Sequence, residues 1–383
     1  MSDDRTLREA LADRLAADGH LRSSPWRSAV VDTPRHEFLR GGYFRRVDGA
    51  GPTGWEPVMP EDPAWLPATY ADDSLVTQVA GTIVPGDLQG RIFRAPTSSS
   101  TMPSLVVRML EELHVADGMR VLEIGTGTGY STALLCHRLG ADLVTSVEVD
   151  EEVSTRARVA LGAAGHTPDL IVGDGLAGTP EAGPYDRTVA TCGVLTVPPA
   201  WLAQTRPGGQ ILATVCGWMY SSELARLTVG DDGTAHGRFL DGQVSFMLAR
   251  PHLPPPLGVL PDLADGEERE TALGPDALDD WTTRFVAQLA APRAQRVRLS
   301  VDGGEPVDVI LDVGAGSWAV LHRHGERWIA RQGGPDRLWD GIEDRVARWR
   351  QDGSPGLERF RITVTPDGQS ITWPRGARGG PGS

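Results

Sequence analysis

The sequence predicts an α/β fold with a doubly wound, mostly parallel sheet, followed by a smaller α+β domain. Between Met119 and Val215, short apolar segments alternate with helical ones, the pattern of a parallel sheet covered by helices on both faces. Beyond about Asp276 the pattern changes to short runs of alternating polarity around one amphipathic helix. Between these regions the prolines of PHLPPPLGVLP, from Pro251, read as a stiff extended linker. The expected division is 1–250, a linker at 251–275, an α+β domain at 276–374, and a disordered tail at 375–383.

In chain order, the first element is a helix with Leu7, Leu11, Leu15 and Ala16 on one face. Strand character then falls at Val121–Ile124, Leu143–Val149, Asp169–Asp174, Arg187–Thr191 and Gln210–Val215, with helical segments between the first three. In the C-terminal region, Val297, Leu299 and Val301 alternate with polar residues, and Asp302-Gly303-Gly304 follows as a turn. Strands are expected at Val307–Val313, Ser317–His324 and Arg327–Arg331. A helix presenting Trp339, Ile342, Val346 and Trp349 comes next, then a hairpin across Pro366-Asp367-Gly368.

Composition excludes several function classes. The net charge of -14 argues against attraction to nucleic acid. No apolar run approaches the ~20 residues that span a bilayer, so no membrane partner is expected. The N-terminus lacks a secretory apolar core. Cys136, Cys192 and Cys216 are scattered and odd in number, which suggests neither a disulfide framework nor a zinc knuckle. Cytoplasm is the expected compartment. Every basic side chain apart from histidine is arginine, consistent with a high-GC coding bias.

The most informative motif is VLEIGTGTGY, Val121–Tyr130. A strand runs into Gly125-Thr126-Gly127-Thr128-Gly129 and then a helix, so backbone amides can approach a ligand at the helix N-terminus. A dinucleotide fingerprint needs a third glycine where Tyr130 stands; the G-x-G-x-G spacing is instead that of S-adenosylmethionine-binding proteins. Glu148 ends the next strand, placed to accept both ribose hydroxyls of a nucleoside. Asp174 and Gly175, after the third strand, are candidates for the adenine side, although Asp-Gly is equally a turn. Glu123, a carboxylate inside an apolar strand, needs a partner; the loop amides or the amine of a bound methionine moiety are candidates. The metal expectation is none: His322 and His324 read as a solvated strand face.

Further segments resemble the protein-L-isoaspartate O-methyltransferase family. VVDTPRHEFL (Val30–Leu39), ATYADDS (Ala68–Ser74) and RAPTSSSTMPSLVVRMLEEL (Arg94–Leu113) precede the glycine loop, while VTSVEVDEEV, VGDGLAGTPEAGPYDRTVAT and LTVPPAWLAQTRPGGQILATV follow it in the family's order. The resemblance implies a Rossmann-like methyltransferase with S-adenosyl-L-methionine as cofactor and S-adenosyl-L-homocysteine as product. It acts on an aspartyl or isoaspartyl carboxylate in a peptide or protein. The cofactor residues would be Glu123, Gly125, Thr126, Gly127, Gly129, Tyr130, Glu148, Asp174 and Gly175. Aligning on Met102 places the family's substrate-contacting hydroxyl at Ser98, with Ser99 the neighbouring choice, and Asp72 matches its acidic residue. Arg45, Arg46, Arg91 and Arg94 are candidate counter-charges for the substrate carboxylate.

Two departures bear on the substrate. The insertion at Gly54–Ala68 adds Trp55 and Trp65, read either as peptide contacts or as a packed loop. The C-terminal domain is an extension that ordinary repair enzymes of the family lack. Extended actinobacterial homologues are associated with ribosomally made peptides, lanthipeptides and graspetides, where an aspartyl ester closes to an aspartimide. The leading expectation is therefore methylation of a modified precursor peptide, with general isoaspartate repair as the alternative and a non-catalytic cofactor-binding regulator as a third.

Overall fold

The computed structural model describes residues 3–48, 53–240, 242–300 and 306–375. The expected turn at 302–304 and all but the first residue of the expected tail lie outside the described residues. Contacts divide the chain into two compact units: Met1–Cys192 with Pro198–Ala213 and Thr228–Thr234, and Gly193–Val197 with Thr214–Leu227 and Ala235–Ser383.

The first unit opens with α1 (Asp3–Ala17) and α2 (Ser24–Asp32). Leu11 and Leu15 of α1 are fully buried, as their spacing requires. Ala16 is exposed, and Ala12, one turn from Leu15 on the other side, takes its place in the core. A four-stranded sheet with no counterpart in the sequence expectation follows: β1 (Tyr43–Val47), β2 (Gly54–Val58), β3 (Leu75–Val79) and β4 (Pro96–Ser100), in the order β2-β1-β3-β4, with α3 (Trp65–Thr69) between β2 and β3. Helix α4 (Pro103–Glu112) leads out of it.

The expected parallel sheet is present. Its parallel pairs join β5 (Val121–Ile124), β6 (Val144–Glu148), β7 (Asp169–Val172) and β8 (Tyr185–Val194), with β9 (Thr205–Cys216) next to β8 and α5 (Tyr130–Leu139), α6 (Glu151–Ala163) and α7 (Pro199–Gln204) interleaved. Strand β5 pairs in parallel with β6 on one side and β8 on the other. The chain thus winds outward through β6 and β7, then returns to the far side of β5. The end of β5 is the point where the strand order reverses, the usual ligand crevice of such sheets. All four β5 residues are buried, as expected for a strand covered on both faces.

In the second unit, β10 (Ser222–Val229) and β11 (Ala235–Phe239) precede β12 (Glu267–Thr271), α8 (Trp281–Gln288), β13 (Gln295–Leu299), β14 (Val307–Asp312), β15 (Ser317–His324), β16 (Arg327–Gly333), α9 (Leu338–Gln351), β17 (Arg361–Thr365) and β18 (Gly368–Thr372). Strands β12-β16-β15-β14-β13 form an antiparallel sheet. Trp339, Ile342, Val346 and Trp349 of α9 are buried, as their periodicity predicts. Two boundaries differ from expectation. The segment expected as a linker contributes β12 to this sheet, and its Leu257, Leu260 and Leu263 pack against Val309, Leu311, Trp318 and Val320. The β17–β18 hairpin forms across the expected turn, but β17 pairs with β11 rather than with the five-stranded sheet. That partner lies more than a hundred residues away, and nothing local to the hairpin specifies it.

Candidate active site

The glycine loop carries three left-handed backbone positions, Gly125 (φ 96°), Gly127 (φ 55°) and Gly129 (φ 90°), a conformation that side chains resist. Space forbids a side chain as well: a Cβ on Gly125 would lie 2.7 Å from Thr191 Oγ1. The Gly125 amide donates to the Val147 carbonyl at 2.8 Å, tying the loop to β6. Gly129 caps α5 with no side-chain hydrogen bond, which leaves the first-turn amides of a ten-residue helix uncapped at the sheet's switch point.

Two carboxylates hold this loop, in different ways. Glu123 is wholly buried. Its Oε1 accepts from Ser131 Oγ at 2.5 Å; its Oε2 accepts from Thr132 Oγ1 at 2.5 Å and Ser146 Oγ at 2.8 Å. Burial pushes its pKa above the usual carboxylate value, against the pull of these hydroxyls. Its protein partners are therefore hydroxyls of α5 and β6 rather than the loop amides considered from sequence. Glu148, at the end of β6, accepts the Gly127 amide on Oε2 at 2.9 Å and the Asp150 amide on Oε1 at 3.1 Å. A carboxylate offers about four acceptor positions, so two remain.

Two further candidates turn away from the loop surface. Thr126 is buried, and its hydroxyl pairs with Ser146 Oγ at 2.7 Å. The Tyr130 ring is buried against Phe38, centroids 6.0 Å apart, and under the Arg35 guanidinium at 5.7 Å. Among the described residues its hydroxyl has no hydrogen-bond partner, and burial raises its pKa to about 12. The Tyr130 ring is core, and its backbone opens α5 directly after Gly129. Asp174 is exposed, and its Oδ1 accepts the Leu176 amide at 2.9 Å, the turn that Asp-Gly suggested. Gly175 packs so closely that a Cβ would lie 2.5 Å from Ile124 Cγ2.

The serine segment is strand β4 at the edge of its sheet, not a loop. Strand alternation puts Ser98 and Ser100 on the buried face and Thr97 and Ser99 on the other. Ser98 accepts from Thr77 Oγ1 at 3.3 Å. The Ser99 carbonyl lies at the glycine loop, 3.5 Å from where a Cβ on Gly127 would stand. Asp72 accepts the Ser104 amide at 2.8 Å and so caps α4, which begins just after the serines.

Sequence reasoning missed Arg35. It is fully buried with no carboxylate partner among its bonds. Its guanidinium donates to the carbonyls of Thr69, Ala71, Asp73, Ser100 and Thr101 and to Ser100 Oγ, at 2.9–3.3 Å. One residue thus joins the Asp72 segment, the end of β4 and, through its contact with Tyr130, the glycine-loop helix. Desolvation lowers its pKa to about 10. Nothing in the PRHEF sequence distinguishes it from a surface arginine.

The counter-charge candidates fare unevenly. Arg45 and Arg91 both pair with Glu56, and Arg46 pairs with Asp48. Arg94 is exposed and, among the described residues, donates only to the neighbouring Phe93 carbonyl. Trp65 is core and donates to the Leu39 carbonyl at 3.2 Å; Trp55 packs beside Phe44, Val76 and Val79. Both tryptophans of the insertion therefore have structural employment. Among the described residues no group of three or more His, Cys, Asp or Glu could hold a metal ion, and no helix is long and apolar enough to cross a membrane.

Comparison with known proteins gives a consistent result. A family profile described as Protein-L-isoaspartate(D-aspartate) O-methyltransferase matches residues 89–246. The protein-L-isoaspartate O-methyltransferase of Methanopyrus kandleri is 31% identical over 237 residues, covering 61% of this chain and 87% of the relative. Protein-L-isoaspartate O-methyltransferase 1 of an Anaeromyxobacter species is 43% identical over 135 residues, 35% of this chain; the match spans 63% of that relative's length. A solved structure described as a protein-L-isoaspartate O-methyltransferase matches over 96% of this chain and 99% of its own, with a TM-score of 0.55 at 22% identity. At that identity the likeness is one of fold. It extends beyond residue 250, so this one solved structure shares the fold of the C-terminal region, whereas the Methanopyrus kandleri match spans only 61% of this chain.

Proposed function

The chain belongs to the protein-L-isoaspartate O-methyltransferase family, and from that premise we propose that it methylates isoaspartyl carboxylates in peptides or proteins, with S-adenosyl-L-methionine as donor, as a general repair activity. The observation that carries this reading is the approach of β4 to the glycine loop, with the Ser99 carbonyl beside Gly127. It puts a row of hydroxyls next to the nucleoside cradle.

The cradle fits this cofactor. Three side-chain-free positions and the uncapped amides of α5 admit a close ligand, and the two remaining acceptor positions of Glu148 match two ribose hydroxyls. When bound, the sulfonium supplies an activated methyl group. The substrate carboxylate is already ionised at neutral pH, so the chain needs to orient and desolvate it rather than deprotonate it. Ser99, half-buried on the face opposite Ser98, is the better-placed hydroxyl for this contact; Ser98 supports the strand from behind. Arg94 is the counter-charge candidate without an acidic partner among the described residues. Asp72 acts by holding α4 and the serine segment in register. The resulting methyl ester closes to a succinimide when the next backbone nitrogen attacks its carbonyl, breaking the C–O bond and releasing methanol with the amide proton.

Two of the grounds for a dedicated precursor peptide weaken: the insertion's tryptophans are packed, and one solved structure shares the fold of the C-terminal region. The test is to incubate the protein with S-adenosylmethionine and paired peptides that differ only in isoaspartate versus aspartate. Methyl gain on the isoaspartyl peptide alone, read by mass, is expected. Methylation of neither, despite S-adenosylhomocysteine binding, would favour a non-catalytic regulator.

A further inference from the structure

We infer that Gln78 is a positioning residue that couples Glu148, on the nucleoside side of the site, to strand β4 on the substrate side. This rests on the functional reading above and extends it. Gln78 lies on β3, fully buried, opposite Ser98 in the β3–β4 register. Its side-chain amide is used at both ends. Oε1 accepts from Thr97 Oγ1 at 2.7 Å, and Nε2 donates to Asp150 Oδ2 at 3.2 Å. The chemistry fixes the orientation: the amide nitrogen can only donate and so faces the carboxylate, while the carbonyl faces a hydroxyl.

Each end leads to one half of the site. Asp150 caps α6, accepting the amides of Glu152 and Val153 on Oδ1. Its own amide donates to Glu148 Oε1, while the other Glu148 oxygen holds Gly127. At the opposite end, Thr97 shares the outward face of β4 with Ser99, and its hydroxyl also accepts the Gly81 amide at 3.0 Å. A hydrogen-bonded path therefore runs from Gly127 through Glu148, Asp150 and Gln78 to Thr97. A ligand that draws the Glu148 carboxylate toward itself shifts the Asp150 backbone, and the buried amide carries that shift to β4. Burial makes the path stiff, because no water stands ready to replace a lost partner. A coupling between two ligands is reciprocal, so it can be read from either side.

The experiment uses the full chain and calorimetric titration with S-adenosylhomocysteine, with and without a saturating isoaspartyl peptide. The wild type is expected to bind S-adenosylhomocysteine at least about fivefold more tightly when peptide is present. Gln78→Met keeps the length and loses the Thr97 and Asp150 contacts; Thr97→Val breaks the β4 end, together with its Gly81 contact, and leaves the Asp150 contact intact. In both, the affinity ratio is expected to fall to within about twofold of one. A purely structural bridge would lower thermal stability and leave that ratio unchanged, so ratios equal to the wild type in Thr97→Val overturn the inference even if Gln78→Met fails to fold. A wild type that binds S-adenosylhomocysteine with no effect of peptide overturns it too. A wild type that binds no S-adenosylhomocysteine overturns the methyltransferase reading, and the coupling with it.

Discussion

Replacing Arg35 with methionine removes a buried cation of similar length and leaves five backbone carbonyls facing a thioether. The expected loss can be worked from its surroundings. Burial lowers the guanidinium pKa from 12.5 to about 10, so keeping it charged at neutral pH costs about 3 kcal/mol. Against this stand five N–H donors shared among six acceptors, each donor contributing about 1.5 kcal/mol. The bonds outweigh the cost about twofold, and their removal should destabilise the fold by about 5 kcal/mol. Arg35→Lys retains the charge but offers three donors from one point, and should recover less than half of the loss. Urea denaturation followed by tryptophan fluorescence measures both variants, since Trp26 and Trp65 are buried in the same unit. A loss below about 1 kcal/mol for Arg35→Met would mean that water or side-chain movement satisfies those carbonyls, and the account of Arg35 as a buried knot would be wrong.

Other perturbations separate neighbouring roles. Glu148→Ala should weaken S-adenosylhomocysteine binding by about a hundredfold or more, the value of two hydrogen bonds of about 1.5 kcal/mol each to a charged acceptor; calorimetry showing less than a twofold change would remove the ribose role. Gly125→Ala should cost about 1–3 kcal/mol through its φ and its collision with Thr191; adding Thr191→Ala should relieve the collision and leave the φ cost, as paired thermal melts would show. Asp72→Ala should cost about 1 kcal/mol as a lost helix cap, whereas Asp72→Asn keeps an acceptor and most of the stability; activity lost in the asparagine variant at unchanged melting temperature would restore a direct substrate role. Because burial raises the Glu123 pKa above 4.5, its contribution is full below that value and is lost as pH rises through the raised one. The stability of wild type relative to Glu123→Gln should therefore fall as pH is raised from 4.5, and denaturation curves with no such trend would contradict this.

The parallel sheet was legible because its strands are short, apolar runs buried on both faces, and the glycine loop because left-handed turns demand glycine. The four-stranded sheet was not. Its strands Tyr43–Val47 and Pro96–Ser100 carry arginines and serines without a clean apolar alternation, and β4 looks like a polar loop until β3 lies beside it. The same limit hid Arg35 and Gln78, whose roles depend on partners thirty to seventy residues away. The burial of the Tyr130 ring is not legible for another reason: the residue adjoins the glycine loop in sequence, but as the first residue of α5 it points its ring into the core against Phe38.

The hydroxyls around Glu123 have one more consequence. An amide can only give a proton to a carboxylate, so a carboxylate held by amides loses a contact when it is protonated. Ser131, Thr132 and Ser146 are rotors that can give or take. When Glu123 gains a proton, one of them can turn round and accept it, and the heavy atoms need not move. The anchor of the glycine loop therefore keeps its geometry in either protonation state, and the shape of the nucleoside cradle is insulated from the titration of the acid beneath it.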